Sequence, residues 1–446
     1  MKPLSILLVF AGLFYFSTIR AQINPTNNII GVDITLPQNS TYTYDSALIS
    51  CYNFGTRQIG LHFLWKSGLE TTPGVFTFTN LDIANAYYPY FNVQVDLNID
   101  PIETNILELP TDLVNRTFDD IVVIDRFKIL LDSVFNHIPD LQLSSLVIGS
   151  EIDAYLGTDQ AKWTQYITFY REVAAYAKSL RPGLKVACEA MFTGLTGSAA
   201  TYLQALNSNS DYIGVSYYPI NNDFTVKSPT VAASDFSVVV DLYPAKPIFF
   251  YQLGYPSSSL CNSSEDKQAK FIEQVFQSWD TYHENIKMID FTWLHDWSAE
   301  AVNYWSDYYG ISDTAFIGFL GSIGLRNWDG NGSDKQAFIE LKCQAKQRGY
   351  NTLPINCEAG VTSINNSDQI SIFPNPAQTK LKIELPSDLK NFHLTIYNQF
   401  GQIEKSVPDF NNSNTGIDVS NLPNGLYFIV LHHSDRQISR KFLIDK

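Results

Sequence analysis

The sequence has 446 residues, 45% hydrophobic and 17% charged, and its 45 acidic and 30 basic residues give a formal net charge of −15. This length predicts several domains with a core that needs no disulfide or metal for folding, and the charge excludes a nucleic-acid partner and disfavours an anionic membrane surface. Neutral polymers are compatible with it, and an aromatic content of 14% supplies flat side chains that suit sugar rings.

The first residues predict a signal peptide at residues 1–22. Lys2 precedes an apolar run from Leu4 to Phe16, and a cleavage region follows up to Ala21. The run is too short to cross a bilayer, and no later stretch has the length of a membrane span. We therefore expect an exported, soluble protein without a transmembrane segment.

The sequence contains five cysteines, and an exported protein can form disulfides. Cys343 and Cys357 flank the end of the last helix predicted in the large domain and are the best candidate pair. Neither a CxxC motif nor a Cys/His spacing typical of a metal site occurs. We expect no metal and no cofactor.

Eight apolar, β-rich runs alternate with eight segments of helical periodicity. The strands are predicted at Ile29–Leu36, Arg57–Trp65, Phe91–Ile99, Leu143–Ile152, Leu184–Met191, Tyr212–Tyr218, Pro247–Gly254 and Lys287–His295. The helices are predicted at Tyr44–Phe54, Leu81–Tyr90, Asp119–His137, Gln160–Leu180, Ser198–Asn207, Ala233–Leu242, Glu265–His283 and Asp334–Arg348. This alternation predicts a (β/α)8 TIM barrel, an α/β fold, over residues 23–350. A doubly wound open sheet usually has fewer strands and a glycine-rich phosphate loop, which this sequence lacks.

The pattern changes after Tyr350. Residues 351–368 are rich in Asn, Ser, Thr and Pro and predict a linker. Short alternating strands separated by turn signals follow at Ile370–Phe373, Leu381–Leu385, Phe392–Asn398, Gly416–Val419, Leu426–His432 and Ile438–Ile444. They predict a small all-β sandwich at residues 369–446.

The C-terminal sandwich contains four characteristic runs in a fixed order. SIFPNPAQTKLKIEL, YNQFGQ, IDVSNLPNGLYFIVL and RKFLIDK follow one another to the end of the chain. This tail resembles the type A sorting domain of the type IX secretion system. The resemblance implies the type IX machinery as a partner, a bacterium of the Bacteroidetes kind, and a mature protein that is secreted or held at the cell surface. An ordinary carbohydrate-binding sandwich is the alternative.

Polar and aromatic residues collect at the carboxyl ends of the barrel strands, where the active sites of such barrels lie. The candidate residues are Trp65, Asp96, Ser150, Glu151, Asp153, Glu189, Tyr217, Tyr218, Gln252, Tyr255, Trp293 and Asp296. Acids interspersed with Tyr and Trp suit an uncharged polyhydroxylated ligand, because carboxylates accept hydrogen bonds from hydroxyls and rings cover the apolar faces of sugars.

The ends of strands four, six and seven carry a second resemblance. VIGSEID, GVSYYP and KPIFFYQLGYPSS are similar to the glycoside hydrolase clan A barrel, and the resemblance covers about residues 29–345. In that clan strand four ends in an Asn-Glu pair and strand seven ends in a Glu. The resemblance implies that Glu151 is the general acid/base and that residue 252 occupies the nucleophile position. Retaining hydrolysis needs two such carboxyl groups about 5–5.5 Å apart.

Two residues depart from the clan's pattern. Gln252 stands where the nucleophilic Glu is expected, and a neutral amide neither forms the glycosyl ester at a useful rate nor raises the pKa of Glu151 by repulsion. Ser150 stands where an Asn would bond the 2-hydroxyl of the sugar. Both departures predict that ordinary retaining catalysis is impaired.

Three functions stay open on the sequence. The chain is a carbohydrate-binding protein that has lost its nucleophile, or an active glycosidase in which Glu151 works with a relocated carboxylate, or a non-catalytic surface adhesin or scaffold. The candidates for the relocated carboxylate are Glu189, Asp96 and Asp296. The first two functions expect a neutral poly- or oligosaccharide ligand and a monomeric protein. The sequence does not set the sugar or its linkage.

Overall fold

The computed structural model describes residues 28–39, 41–350, 357, 371–384, 392–398, 403–410, 416–433 and 436–446. The chain divides into two units, Met1–Ile355 and Asn356–Lys446. The predicted signal peptide lies outside the described residues, and so does the predicted linker apart from Cys357.

The first unit is a (β/α)8 barrel, as the sequence predicts. Its strands are β1 (Ile29–Val32), β2 (Gln58–Leu64), β3 (Gln94–Glu103), β4 (Leu143–Ser150), β5 (the two runs Lys185–Ala187 and Glu189–Met191), β6 (Ile213–Tyr217), β7 (Ile248–Leu253) and β8 (Ile286–Phe291). The pairing runs from β4 through β3, β2 and β1 to β8, β7 and β6, and all these pairs are parallel. The first run of β5 pairs with β4 and the second with β6, which closes the barrel.

Helices surround this sheet and follow the predicted segments closely. They are α1 (Tyr44–Asn53), α2 (Thr79–Phe91), α3 (Ile121–His137), α4 (Ile152–Leu156), α5 (Gln160–Leu180), α6 (Phe192–Thr196), α7 (Ala200–Asn207), α8 (Ala232–Leu242), α9 (Glu265–Thr281), α10 (Ala299–Tyr309), α11 (Thr314–Leu320) and α12 (Gln336–Gln347). The helices α4, α6, α10 and α11 were not predicted. They lie in the segments after β4, β5 and β8, at the end of the barrel where sites form.

The core has two sides because successive side chains of a strand point to opposite faces. On β3, Val95, Leu97 and Ile99 are fully buried in the large apolar core that the helices share. Asp96, Asn98 and Asp100 alternate with them and are also fully buried, so they point into the barrel. The interior of this barrel is therefore partly polar and acidic.

The second unit is an antiparallel β-sandwich. Its strands are β9 (Ser371–Phe373), β10 (Lys380–Glu384), β11 (Phe392–Asn398), β12 (Ile403–Phe410), β13 (Gly416–Asp418), β14 (Gly425–His433) and β15 (Arg436–Ile444). They form one sheet of β9, β10 and β13 and another in the order β12, β11, β14, β15, and both contribute to one apolar core. The strand β12 was not predicted. It is an edge strand that contains Pro408 and exposes Ile403, features that are typical of edge strands and not of central ones.

The cysteines follow the predicted pairing. Cys343 and Cys357 are disulfide-bonded. Cys51, Cys188 and Cys261 are buried free thiols. The disulfide is compatible with an oxidising, extracytoplasmic environment.

Candidate functional site

A hairpin at the end of β3 brings Glu103 and Thr104 to the barrel mouth. Neither residue was predicted as part of the site. The sequence predicts that this strand ends at Ile99, but it continues to Glu103 and pairs antiparallel with the short strand Ile106–Leu107. The backbone N–H of Thr104 in the turn donates to the carbonyl of Ser150, 3.0 Å away. The turn residues Thr104 and Asn105 lack the Asn-Gly or Asp-Gly pair that marks many two-residue hairpins, so no strong local signal predicts this turn.

Glu151 follows β4 directly, and two hydroxyl groups hold its carboxylate. Oε1 accepts a hydrogen bond from Ser216 Oγ at 2.6 Å, and Oε2 accepts one from Thr104 Oγ1 at 2.9 Å. The backbone of Glu151 is left-handed, with φ of 46°, a conformation that costs a non-glycine residue about 1–3 kcal/mol and is common at functional sites. Burial raises the pKa of Glu151, although the two hydrogen bonds oppose the shift. Glu151 is therefore fixed in place and retains its proton more readily than an exposed glutamate.

Gln252 on β7 is anchored by its amide group. Oε1 accepts a hydrogen bond from the Tyr218 hydroxyl at 2.8 Å, while Nε2 donates to Glu189 Oε2 at 3.2 Å and to Ser150 Oγ at 3.4 Å. The Tyr218 hydroxyl also lies 3.0 Å from Thr292 Oγ1 at the end of β8. These contacts leave the amide little freedom to rotate.

Glu151 and Gln252 belong to the same end of the barrel. Ser216, which donates to Glu151, is the register partner of Gln252 in the β6–β7 pair. Ser150, which contacts the Gln252 amide, is the chain neighbour of Glu151. The two residues implied by the clan resemblance therefore share the barrel mouth.

Glu189 on β5 lies beneath the Gln252 amide. It is fully buried, and its Oε1 has no hydrogen-bond partner within the part of the chain that the structure describes. Burial raises its pKa well above the usual range, and the charges of Glu151 and Glu103 add to the shift. The hydrogen bonds from Gln252 and Ser150 do not offset these effects. Glu189 therefore holds its proton more firmly than an exposed glutamate does.

Glu189 is one of four carboxyl groups that we call the acidic cluster: Asp100, Glu103, Glu151 and Glu189. Asp100 is fully buried, and neither of its oxygens has a partner among the described residues. Burial, followed by the charges of Glu103 and Glu189, raises the pKa of Asp100 well above its usual range. Burial and then the charge of Glu151 raise the pKa of Glu103 to about 8. The cluster thus retains protons that exposed carboxyl groups would lose.

Four aromatic side chains form an arc that begins at the end of β8. The ring centroids of Trp293 and Trp297 are 4.2 Å apart, those of Trp297 and Trp305 5.5 Å, and those of Trp305 and Tyr309 5.7 Å. The hydroxyl of Tyr309 donates to Glu103 Oε1 at 3.1 Å. This aromatic arc therefore reaches from the β8 side of the mouth to the acidic cluster on the β3 side. Of these four residues, only Trp293 is among the predicted site residues.

Three aromatic residues that were predicted to bind ligand are buried away from the mouth, and that prediction is corrected. The indole N–H of Trp65 donates to Glu70, the hydroxyl of Tyr217 donates to Asp235, and the hydroxyl of Tyr255 donates to a backbone carbonyl. All three side chains are fully buried. Tyr217 follows the inward-facing Ser216, so strand alternation turns it towards the helices.

Three predicted acids also serve other contacts. Asp96 accepts hydrogen bonds from two serines of β4. It lies near the start of β3 and not near its end, because the strand runs from Gln94 to Glu103 and not from Phe91 to Ile99 as predicted. Asp153 accepts the backbone N–H of Met191 at 2.9 Å. Asp296 is ion-paired with the buried Lys335 at 2.7 Å. Of the predicted site residues, the mouth brings together Ser150, Glu151, Glu189, Tyr218, Gln252 and Trp293.

The raised pKa values predict that the barrel loses stability as the pH rises. Burial raises the pKa of both Asp33 and Asp96 to about 7. The folded state holds these protons between the unfolded pKa near 4 and the folded pKa near 7, so the free energy of unfolding falls across that window. For the fully buried Asp96 the loss is up to about 4 kcal/mol. Urea unfolding at several pH values between about 4 and 8 measures how the free energy of unfolding changes with pH.

The variant Asp96→Asn is the control for this pH dependence. Its amide oxygen still accepts the two serine hydrogen bonds but does not titrate. We expect a flatter dependence on pH than in the wild type. A dependence on pH that is as steep in Asp96→Asn as in the wild type would contradict the assignment.

Comparison with protein families identifies the second unit. Residues 371–445 match the family described as the secretion system C-terminal sorting domain. The C-terminal unit is a type IX sorting domain. Such a domain marks a protein for secretion or for the cell surface, so the predicted localisation and the predicted secretion partner are confirmed. Within the described residues, no helix has the length and apolar character of a membrane span.

Comparison with solved structures concerns the barrel. A GH5_18 variant from Bifidobacterium longum subsp. longum in complex with Manβ1-4GlcNAc is similar with a TM-score of 0.56 and 12% identity, covering 73% of this chain and 79% of that one. GH5_18 from Streptomyces cattleya in complex with GlcNAc is similar with a TM-score of 0.55 and 15% identity, covering 74% of this chain and 82% of that one. The exo-β-1,4-mannosidase Op5Man5 from Opitutaceae bacterium strain TAV5 is similar with a TM-score of 0.55 and 13% identity, covering 72% of this chain and 59% of that one.

These similarities confirm the fold that the clan A resemblance implies, a glycoside-hydrolase-like barrel. At 12–15% identity they concern the fold alone. No curated protein sequence matches the chain significantly. The activity of the chain must therefore be argued from its own residues.

Proposed function

We propose that this exported protein binds a poly- or oligosaccharide at the mouth of the barrel and does not cleave it by double displacement. One observation carries the proposal. The strand-seven position holds the amide of Gln252, and the carboxyl group that this amide contacts, Glu189, is fully buried.

The chemistry of retaining hydrolysis explains why this arrangement opposes cleavage. A nucleophile must approach the anomeric carbon as an ionised carboxylate. The Gln252 amide is not a competent nucleophile for that step. Glu189 is fully buried, and burial raises its pKa, which disfavours the ionised form that a nucleophile needs. Glu151 alone supplies an acid but no covalent intermediate.

Binding is supported by groups that remain at the mouth. Trp293 is only partly buried and stacks on Trp297, so part of its ring is open to a ligand. Glu151 and Gln252 are also partly exposed and offer hydrogen-bonding groups to hydroxyls. The similar GH5_18 structures hold Manβ1-4GlcNAc and GlcNAc. An aromatic face beside a few fixed polar groups is the usual composition of a sugar subsite.

Affinity electrophoresis in gels that contain plant or algal polysaccharides tests the proposal. We expect at least one polysaccharide to retard the wild type and Trp293→Ala to remove most of the retardation, since a sugar-stacking ring contributes about 1 kcal/mol or more. Tyr90→Ala is the matched control, because Tyr90 is 85% exposed at the end of α2, at the opposite end of the barrel. Glu151→Gln should still bind.

The same samples, assayed for reducing ends, test the second candidate function, an active glycosidase. Glu103 favours it, because this carboxyl group is partly exposed and close enough to Glu151 for the Glu151 charge to raise its pKa. Cleavage by the wild type that is lost in both Glu151→Gln and Glu103→Gln would establish that activity and refute the non-catalytic proposal. Retardation by no polysaccharide would refute carbohydrate binding.

A further inference from the structure

We propose that the mouth prefers a cationic sugar, a β-linked glycan whose residues carry free ammonium groups. This inference rests on the proposed carbohydrate-binding function and replaces the neutral ligand expected from the sequence. It begins with a charge imbalance. The acidic cluster brings four carboxyl groups together, and none of them takes part in an ion pair formed by the described residues.

Unpartnered oxygens in the cluster point independently to a missing positive charge. Both carboxylate oxygens of Asp100 and the Oε1 of Glu189 are buried without a hydrogen-bond partner among the described residues. Asp100 points into the barrel, because its neighbour Ile99 packs in the core on the helix side. A buried carboxyl group without a donor or a cation nearby favours its protonated form, because the ionised form would be neither hydrogen-bonded nor neutralised. An ammonium group bound at the partly exposed Glu103 and Glu151 brings N–H donors to their oxygens, and its positive charge acts on the buried Asp100 and Glu189 without direct contact.

The aromatic arc adds the second half of an ammonium site. Tyr309 donates its hydroxyl to Glu103, so a ring of the arc lies directly beside the cluster. Carboxylates neutralise a cation, and the faces of Trp and Tyr rings attract it through their quadrupoles. A neutral sugar would use the rings but leave the carboxyl groups protonated, whereas a cation would also favour their ionised forms.

Charge compensation couples binding to proton release. The charges of Glu151 after β4 and Glu108 after β3 raise the pKa of Glu103, whereas the hydrogen bond from Tyr309 on α10 lowers it. The charge of Glu103 in turn raises the pKa of Glu189 on β5. In the free protein these carboxyl groups retain protons because burial and mutual repulsion raise the pKa values. A bound ammonium favours the ionised forms, so the carboxyl groups release protons to the buffer.

Titration calorimetry of the full chain with three matched tetrasaccharides tests the inference. The ligands are β-1,4-linked glucosamine, N-acetylglucosamine and glucose tetramers, at about pH 6 in buffers of different ionisation enthalpy. We expect the glucosamine tetramer to bind at least about 10-fold more tightly than the glucose tetramer, as charged hydrogen bonds predict. Its heat should depend on the buffer because protons are released, and the heats of the neutral tetramers should not.

Two variants separate the cluster from a general effect of negative charge. Glu103→Gln keeps an acceptor for Tyr309 but removes a charge, and we expect it to lower glucosamine binding about 10-fold while glucose binding changes less than about 2-fold. Glu284→Gln is the control, since Glu284 is 81% exposed on the surface, and it should change neither.

The outcomes distinguish this inference from the function on which it rests. Glucosamine binding that is no tighter than glucose binding, or that releases no protons, overturns the cationic preference while carbohydrate binding stands. Equal losses for both ligands in Glu103→Gln also overturn it. If neither these tetramers nor any polysaccharide binds, the proposed function fails as well.

Discussion

Exchanging the amide and the carboxyl group between β7 and β5 should convert the protein into a hydrolase. The double variant Gln252→Glu/Glu189→Gln keeps the hydrogen bond that joins the two side chains at 3.2 Å and keeps the net charge. It moves the carboxylate from a fully buried position to a partly exposed one, where the Tyr218 hydroxyl can donate to it. We expect the double variant to hydrolyse an activated aryl β-glycoside at least about 100-fold faster than the wild type. Loss of a nucleophile costs roughly 10⁶-fold in kcat, so this gain would restore only a small part of full activity.

The single variants are the controls for this exchange. Gln252→Glu alone places two carboxyl groups in contact, and because both cannot ionise together, the gain should be smaller than in the double variant. Glu189→Gln alone supplies no accessible carboxylate and should show no gain. Adding Glu151→Gln to the double variant should lower its rate by about 10²–10⁴-fold, the usual contribution of a general acid. A double variant that folds, binds glycan and is as inactive as the wild type would refute the assignment of position 252.

The barrel was predictable because its signals are local and repeated. The strands β4 to β8 are apolar runs, and helices such as α5 and α9 begin at capping residues, Asp159 and Ser264, whose side chains accept backbone N–H groups. The edge strand β12 was missed because its polar sequence and Pro408 resemble a loop. Periodicity identifies an element only where one face of that element is buried.

The site was predictable only in part, because its geometry depends on strand ends and side-chain direction. Glu151 and Gln252 were found through motif resemblance, and Glu103 was missed because a hairpin extends β3 beyond Asp100 and Pro101. Tyr217 and Tyr218 were both predicted at the site, but strand alternation turns Tyr217 towards the helices and only Tyr218 into the mouth. Contacts such as Tyr309 with Glu103 join segments 206 residues apart, and no local pattern encodes them.

The buried ion pair between Lys335 and Asp296 leads to the prediction with the largest effect on stability. Lys335 is 1% exposed, and its ammonium group donates to Asp296 Oδ1 at 2.7 Å, to Ser257 Oγ at 3.1 Å and to two backbone carbonyls. Burial lowers the pKa of Lys335 and raises that of Asp296 to about 6, so the pairing does not fully offset the desolvation of either charge. Removing one partner of such a pair lowers the free energy of unfolding strongly, whereas replacing both partners by apolar residues of similar volume costs little.

Asp296→Asn should therefore lower the free energy of unfolding at pH 7 by about 3–5 kcal/mol, because it leaves the Lys335 charge buried without its partner. The folded pKa of this lysine is depressed, so the unfolded state binds its proton more tightly, and the deficit relative to the wild type should shrink as the pH rises towards 10. The apolar double variant Asp296→Leu/Lys335→Met should recover most of the loss. Urea unfolding followed by tryptophan fluorescence measures all three proteins. A loss below about 1 kcal/mol, or a double variant as unstable as the single one, would show that the pair does not behave as a buried charge.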